Sequence, residues 1–431
     1  MFKRFNLRLD YRLALALTPF LITNFCLILH LALSNDTDYF IGVTYSLCSF
    51  ILSASLFFIY YRIRMIGYLL VFLVFMIFLG LFYWYTGGLF EFTGSDSTMY
   101  YAETQNRLHL PIREAVSSFV TNTKYGWDDT GMITYLHVIF NISSSVLFQR
   151  IINFLLLLVQ VILLRKILFS INIHYRLVQY VMALFATNTA ILYFVSSGLK
   201  ETIFTTLIMV IWYSYYAVKT DVLRFAYLFL GISSLYFFRI PELLITFLAV
   251  IINIPRRYRI FIALPILVLT VLVLVSFSDI IYWYYMRDGQ DVEVASSNSL
   301  IYRISVLCSG FFGPFPSFLT SFNQRDTLLY SMGLSSLMVM RLYTLFAVKF
   351  TVKKGRIVYP MVAHIVLHLI VLIVVDRTLK IRYWMPAIPS MFIWFAFVMN
   401  KIEKPGKLSG RMIISIMIMV LWVGLWNILR L

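Results

Sequence analysis

With 431 residues, 61% of them hydrophobic and only 13% charged, the chain is too apolar for a soluble globular protein, where about a quarter of residues carry charge. Its net charge of +17 would suggest nucleic acid in a soluble chain. Here the basic cytoplasmic loops of a membrane protein account for it, and no nucleic-acid partner is expected.

Apolar runs long enough to cross a bilayer, about 20 residues each, recur from end to end. Residues 1–33 resemble a signal peptide superficially, but the apolar run is long and lacks a small-residue cleavage site, so it reads as a retained first span. Spans are predicted near 13–34, 40–60, 66–84, 151–168, 177–195, 203–218, 224–238, 241–254, 259–277, 327–349, 357–375, 383–399 and 411–429. The pieces 224–238 and 241–254 break at Arg239-Ile240-Pro241 and form either two thin spans or one re-entrant hairpin. The expected fold class is therefore all-α: one polytopic integral membrane helical bundle over 1–431, with about 13 transmembrane helices. The cysteines Cys26, Cys48 and Cys308 have no metal or redox spacing and read as small buried hydrophobes.

Segment 131–148, GMITYLHVIFNISSSVLF, is apolar yet carries His137, Asn141 and three serines. If it does not cross and the N-terminus is cytoplasmic, the inside loops hold 22 basic and three acidic residues, against 13 and 16 outside. A crossing would put the PRRYR loop outside and break this asymmetry, so the segment is expected to lie on or dip into the outer leaflet. Two large extracytoplasmic loops follow, at 85–150 and 278–326. Loops that long in a compact protein are usually functional.

Under this topology the unusual polar residues gather on the outer side. The first loop offers Asp96, Tyr100 and Tyr101 in GSDSTMYY, then Trp127, Asp128 and Asp129 in KYGWDDT. Asp96 could also cap the helix that TMYYAETQ starts, and Asp128 and Asp129 the helix from 131. The gap SSGLKE between two apolar runs holds Lys200 and Glu201, and Arg239 flanks the break at Pro241. A charge at membrane depth costs about 2.5–3.5 kcal/mol on insertion scales, so both charges in that gap need partners or water. The second loop brings Arg303, and DRTLKIRYW brings Arg377, Arg382 and Tyr383. Arg341 sits inside a span and must face protein, water or a carboxylate. His364 and His368 share a helix face but have no third ligand in a recognisable motif, so they read as satisfied core histidines and no metal is expected.

Carboxylates, cations and aromatics at an outer membrane face fit sugar transfer from a polyprenyl-phosphate carrier. A carboxylate accepts the proton of the attacking hydroxyl, Arg and Lys neutralise the departing phosphate, and an apolar groove takes the lipid tail. No nucleotide-binding motif is present, and no cofactor is expected.

The order of these features resembles the GT-C class of membrane glycosyltransferases. An outer loop carries an acid followed by tyrosine, as in DSTMYY; a later span ends in a small-residue turn with Lys and an acid, as in SSGLKE; and RYWMPAIP at 382–389 is similar to the RYxxPxxP of lipid-linked sugar transferases. The likeness covers about 90–400 and lies in order and spacing. It implies Asp96 as the candidate base, with Asp128 or Asp129 as the alternative and Glu201 as a further catalytic acid, and Lys200, Arg239 and Arg382 as phosphate contacts. Two departures stand out: three spans precede the acidic loop, and its paired acid is Asp128-Asp129 rather than the residue after Asp96. The O-antigen and capsule repeat-unit polymerases share the architecture and are the first alternative, a flippase of lipid-linked glycans the second. The resemblance implies a bacterial inner-membrane location with an extracytoplasmic active face, a polyprenyl-phosphate-linked sugar donor and a glycan or lipid-linked acceptor.

Overall fold

The computed structural model describes residues 39–90, 96–122, 129–253, 337–354, 356–374, 381–402 and 410–428, together with Leu13, Leu17, Thr18, Leu21 and Asn24. Every regular element among them is helical. Two antiparallel helices open the described chain, α1 (Tyr39–Tyr60) and α2 (Arg64–Thr86). Three short helices then fill the first predicted loop: α3 (Asp96–Gln105), α4 (Ile112–Asn122) and α5 (Thr130–Ile142). There follow α6 (Val146–Ser170), α7 (Tyr175–Ala186), α8 (Thr189–Ser197), α9 (Glu201–Ala217), α10 (Asp221–Leu235) and α11 (Ile240–Asn253). After the second predicted loop come α12 (Leu337–Phe346), α13 (Val348–Lys354), α14 (Tyr359–Val374), a 3-10 segment (Ile381–Ala387), α15 (Ile388–Ile402) and α16 (Gly410–Ile428). The predicted span 259–277, the loop 278–326 and most of 13–34 lie outside the described residues.

Among the described residues, four helices are long and apolar enough to cross a membrane: Gly42–Tyr60, Arg64–Thr86, Val146–Ser170 and Tyr383–Ile402. The bent pair α7 and α8 makes a fifth if counted as one span. The outward faces match this reading. On α1 the exposed residues Phe40, Val43, Leu47 and Phe50 recur at three- and four-residue spacing, an apolar stripe turned away from the bundle. The Tyr383–Ile402 helix is 83% buried, against 44% for each of the other three, so it runs through the middle of the bundle. It packs on α6, α7, α9 and α14.

Local chemistry sets three boundaries that the apolar pattern does not. Helix α6 starts at Val146 rather than near 151, because the Ser145 hydroxyl accepts from Phe148 N and caps it. The predicted continuous span 177–195 is two helices meeting at 46°. Asn188 makes the break: its Oδ1 accepts from Ala190 N at 3.1 Å and Ile191 N at 3.3 Å, starting α8 afresh. At 13 residues, α5 rises about 20 Å at 1.5 Å per residue, short of the roughly 30 Å hydrocarbon core of a bilayer.

The loop helices have a small core of their own. In α4 the buried Ala115 and Phe119 lie one turn apart, and Tyr100 of α3 joins Phe119, Met132, Ile133, Leu136 and Phe140. Ile203 of α9 packs against this cluster and ties it to the bundle.

Antiparallel alternation sorts the helix ends. Arg64, Tyr175 and Gln179 meet at one end, where Arg64 donates to Gln179 Oε1 at 2.6 Å and Tyr175 OH at 3.0 Å. At the other end Arg150 donates to the carbonyl of Leu89 at 2.8 Å. Asp129, Lys200, Glu201 and Arg239, singled out in the sequence, gather by the α8–α9 turn near this second end.

Candidate functional site

The site is built around the turn that joins α8 to α9. Gly198 ends α8 in the left-handed region, with φ +76°, a conformation that glycine alone adopts without penalty. A second constraint falls on the same residue: a Cβ there would overlap the Arg150 guanidinium. That guanidinium is buried, bonded to Gln149 Oε1 and Leu89 O. The turn therefore rests on a side chain from α6. The same helix presents Asn153, whose Nδ2 donates to Val195 O at 3.3 Å, and Gln160, whose Nε2 donates to Thr202 O at 3.1 Å and Thr206 Oγ1 at 2.8 Å.

Lys200 follows at the N-cap of α9 and Glu201 at its first position. Both are buried, and each has an oppositely charged partner from elsewhere. Lys200 Nζ lies 2.6 Å from Asp129 Oδ1, with side chains only 5% and 11% exposed. The same oxygen accepts from Tyr100 OH at 2.5 Å. Asp129 occupies the N-cap position of α5, but its side chain makes no capping bond there. The carboxylate has turned from the local role to the long-range one.

Glu201 Oε1 faces Arg239 Nη2 at 3.6 Å. The Arg239 guanidinium lies between two rings, 5.0 Å from Phe204 and 5.3 Å from Tyr383, in cation–π contact with both. A guanidinium carries five donors, so one long ion pair leaves it with capacity for another anion. Gly131 N donates to Phe237 O at 2.7 Å, and a Cβ at 131 would press on that carbonyl. This contact docks α5, which follows Asp129, against the α10–α11 turn that carries Arg239.

Of the predicted residues, Tyr100, Asp129 and Lys200 form one cluster, and Glu201, Arg239 and Tyr383 a second, joined through the adjacent Lys200 and Glu201. Asp96 is half-buried at the first position of α3, one turn before Tyr100 and on its face. Tyr101 takes a different part. Its ring packs between Phe90 and Phe140, at 5.5 and 5.6 Å, as core of the loop helices. Trp127, Asp128, Arg303 and Arg377 lie outside the described residues, as does the side chain of Arg382, whose backbone belongs to the 3-10 segment.

Sequence reasoning missed the supports. Gln149, Arg150, Asn153 and Gln160 are buried polar residues of one apolar helix, spaced to share one face. That periodicity was the available signal. Tyr135 OH donates to Asn153 Oδ1 at 2.8 Å, and burial pushes its phenol well above the ordinary range, with Arg150 acting in the opposite direction. It also missed that Glu242 joins His364 and His368, at 2.6 and 3.0 Å. Arg341 is buried with its guanidinium 4.6 Å from the Trp384 ring.

In comparisons with known proteins, no family model matches the chain, and no curated protein or solved structure matches it either.

Proposed function

We propose that the chain is a membrane glycosyltransferase of surface-polysaccharide assembly, using a polyprenyl-phosphate-linked sugar at the extracytoplasmic face of a bacterial inner membrane. The observation that carries this reading is the convergence of Asp129, Lys200, Glu201 and Arg239 on one inter-helix turn, with Asp96 one helical turn from the residue that binds Asp129. The finer architecture belongs to the same proposal: about 13 spans, a cytoplasmic N-terminus, and the loops 85–150 and 278–326 outside.

The residues divide the work by their surroundings. Asp129 Oδ1 already accepts from an ammonium and a phenol, so it positions Lys200 and leaves proton acceptance to the half-buried Asp96. Arg239, with spare donors and a flat aromatic setting, meets the donor phosphate. The acceptor hydroxyl oxygen bonds to the anomeric carbon while the bond from that carbon to the phosphate oxygen breaks. The electron pair leaves with the phosphate, and the hydroxyl proton passes to Asp96.

The test is to replace Asp96→Asn and Arg239→Gln singly and follow surface glycan and its lipid-linked precursor. Loss of a charge-assisted contact of about 1.5–3 kcal/mol is expected to lower product by roughly 10–100-fold, leaving unmodified lipid-linked acceptor outside. Accumulation of capped single repeat units would instead identify a polymerase. Precursor trapped inside would identify a flippase. That second class has one observation in its favour: Glu242, His364 and His368 are ionisable groups buried together within the bundle.

A further inference from the structure

Glu242 of α11 faces two histidines of α14. Its Oε1 lies 2.6 Å from His364 Nε2, and its Oε2 lies 3.0 Å from His368 Nδ1. The other nitrogen of His368, Nε2, lies 2.6 Å from the carbonyl oxygen of Tyr383. All three side chains are buried.

Each of these three contacts needs one hydrogen. The carbonyl has none to give, so His368 Nε2 donates to it. A deprotonated carboxylate and two neutral imidazoles supply two hydrogens in all. His364 gives its hydrogen to Glu242 through Nε2, and its Nδ1 accepts from the Ser390 hydroxyl at 3.1 Å. His368 has spent its single hydrogen on Tyr383. The contact between His368 Nδ1 and Glu242 Oε2 therefore holds a third hydrogen, a bound proton. It sits on the imidazole as an ion pair or on the carboxyl as an acid, and the count is the same in both.

We infer that Glu242, His364 and His368 form a proton-binding site within the bundle, and that its proton secures the Tyr383 carbonyl and with it the ring against which Arg239 lies. Other groups around it leave the count unchanged. Thr246 Oγ1 approaches Glu242 Oε1 at 3.4 Å, and the Trp212 ring meets His364 edge-on at 5.6 Å. Tyr216, beside Trp212, gives its hydroxyl hydrogen to Ile357 O. The nearby charges are Arg239, held by Glu201, and Arg341, stacked on Trp384. When the proton leaves, two hydrogens remain for three contacts, and two lone pairs must face each other at one of them. Loss of the bond to the Tyr383 carbonyl then removes the hold of His368 on the 3-10 segment.

The test uses the full chain in lipid nanodiscs with 15N-labelled histidine, and needs no sugar donor, so its outcome is independent of the proposed transferase activity. Ring-nitrogen shifts distinguish imidazolium from neutral imidazole, and difference infrared spectra report a protonated carboxyl. His368→Gln and Glu242→Gln assign the signals among the six histidines. The amide introduced by Glu242→Gln donates to His368 Nδ1 and accepts from His364, so this variant keeps every contact without a titratable proton. The expected result is one proton at neutral pH, seen as a His368 imidazolium or a Glu242 acid, lost on alkaline titration together with a change at Tyr383, and absent in Glu242→Gln. A wild-type spectrum with all carboxyls ionised and His368 neutral at neutral pH would overturn the inference. So would a wild-type titration indistinguishable from that of Glu242→Gln.

Discussion

Lys200 illustrates how a charge is kept within an apolar setting. Its ammonium is buried, and Asp129 supplies the opposite charge at 2.6 Å. Breaking such a buried pair leaves an uncompensated charge and costs about 3–5 kcal/mol, whereas removing both members is far milder. Lys200→Met is therefore expected to lower unfolding stability in detergent by about 3–5 kcal/mol. Lys200→Met combined with Asp129→Asn is expected to recover most of that loss, and equal loss in the single and double variants would argue against the pairing. The sequence made the need for partners legible, since both charges stand between two apolar runs. It did not reveal which partners. Asp129 lies 71 residues from Lys200, and adjacency to a helix start made capping an equally good reading of its role.

Elements show the same division. Apolar runs marked out most helices, because burial and lipid exposure ask for the same residue types. Where a run is interrupted by a short polar step, as at Thr187-Asn188-Thr189, composition alone did not decide. Asn188 lies in the middle of a run that reads as one span, yet its side chain caps the second half. Asn188→Ala is expected to cost about 0.5–2 kcal/mol, the usual loss for a helix cap, measured by thermal unfolding. Gly198→Ala meets two obstacles, a left-handed backbone costing about 1 kcal/mol or more and the Arg150 guanidinium. Truncating Arg150 in the same chain is expected to relieve only the steric part. If the double variant matched the parent, backbone conformation would have no share in the effect. The polar face of α6 was legible as a period; its purpose emerges only once the α8–α9 turn is placed against it.

For the molecule as a whole, alternation of helix ends puts Leu89, Arg150, Lys200 and Asp129 together, away from Arg64, Tyr175 and Gln179. In the proposed topology the first group lies outside and the second in the cytoplasm. A cysteine at Glu114, exposed on α4, is expected to react with an impermeant reagent in intact cells, and one at exposed Lys219 only after permeabilisation. Reversal of that pattern would remove the extracytoplasmic site.

The pairing of neighbours with distant partners also sets an order of events during synthesis. Asp129 emerges before Lys200, so the lysine meets a waiting counter-ion as its helix packs. Glu201 has no such advantage, because Arg239 is translated 38 residues later. For that interval the newborn chain carries a carboxylate at the head of α9 whose guanidinium has yet to be made. Ribosome-bound intermediates ending shortly before Arg239 are expected to be extracted from the membrane by alkali more readily than those extending past Asn253, and Glu201→Gln is expected to erase the difference.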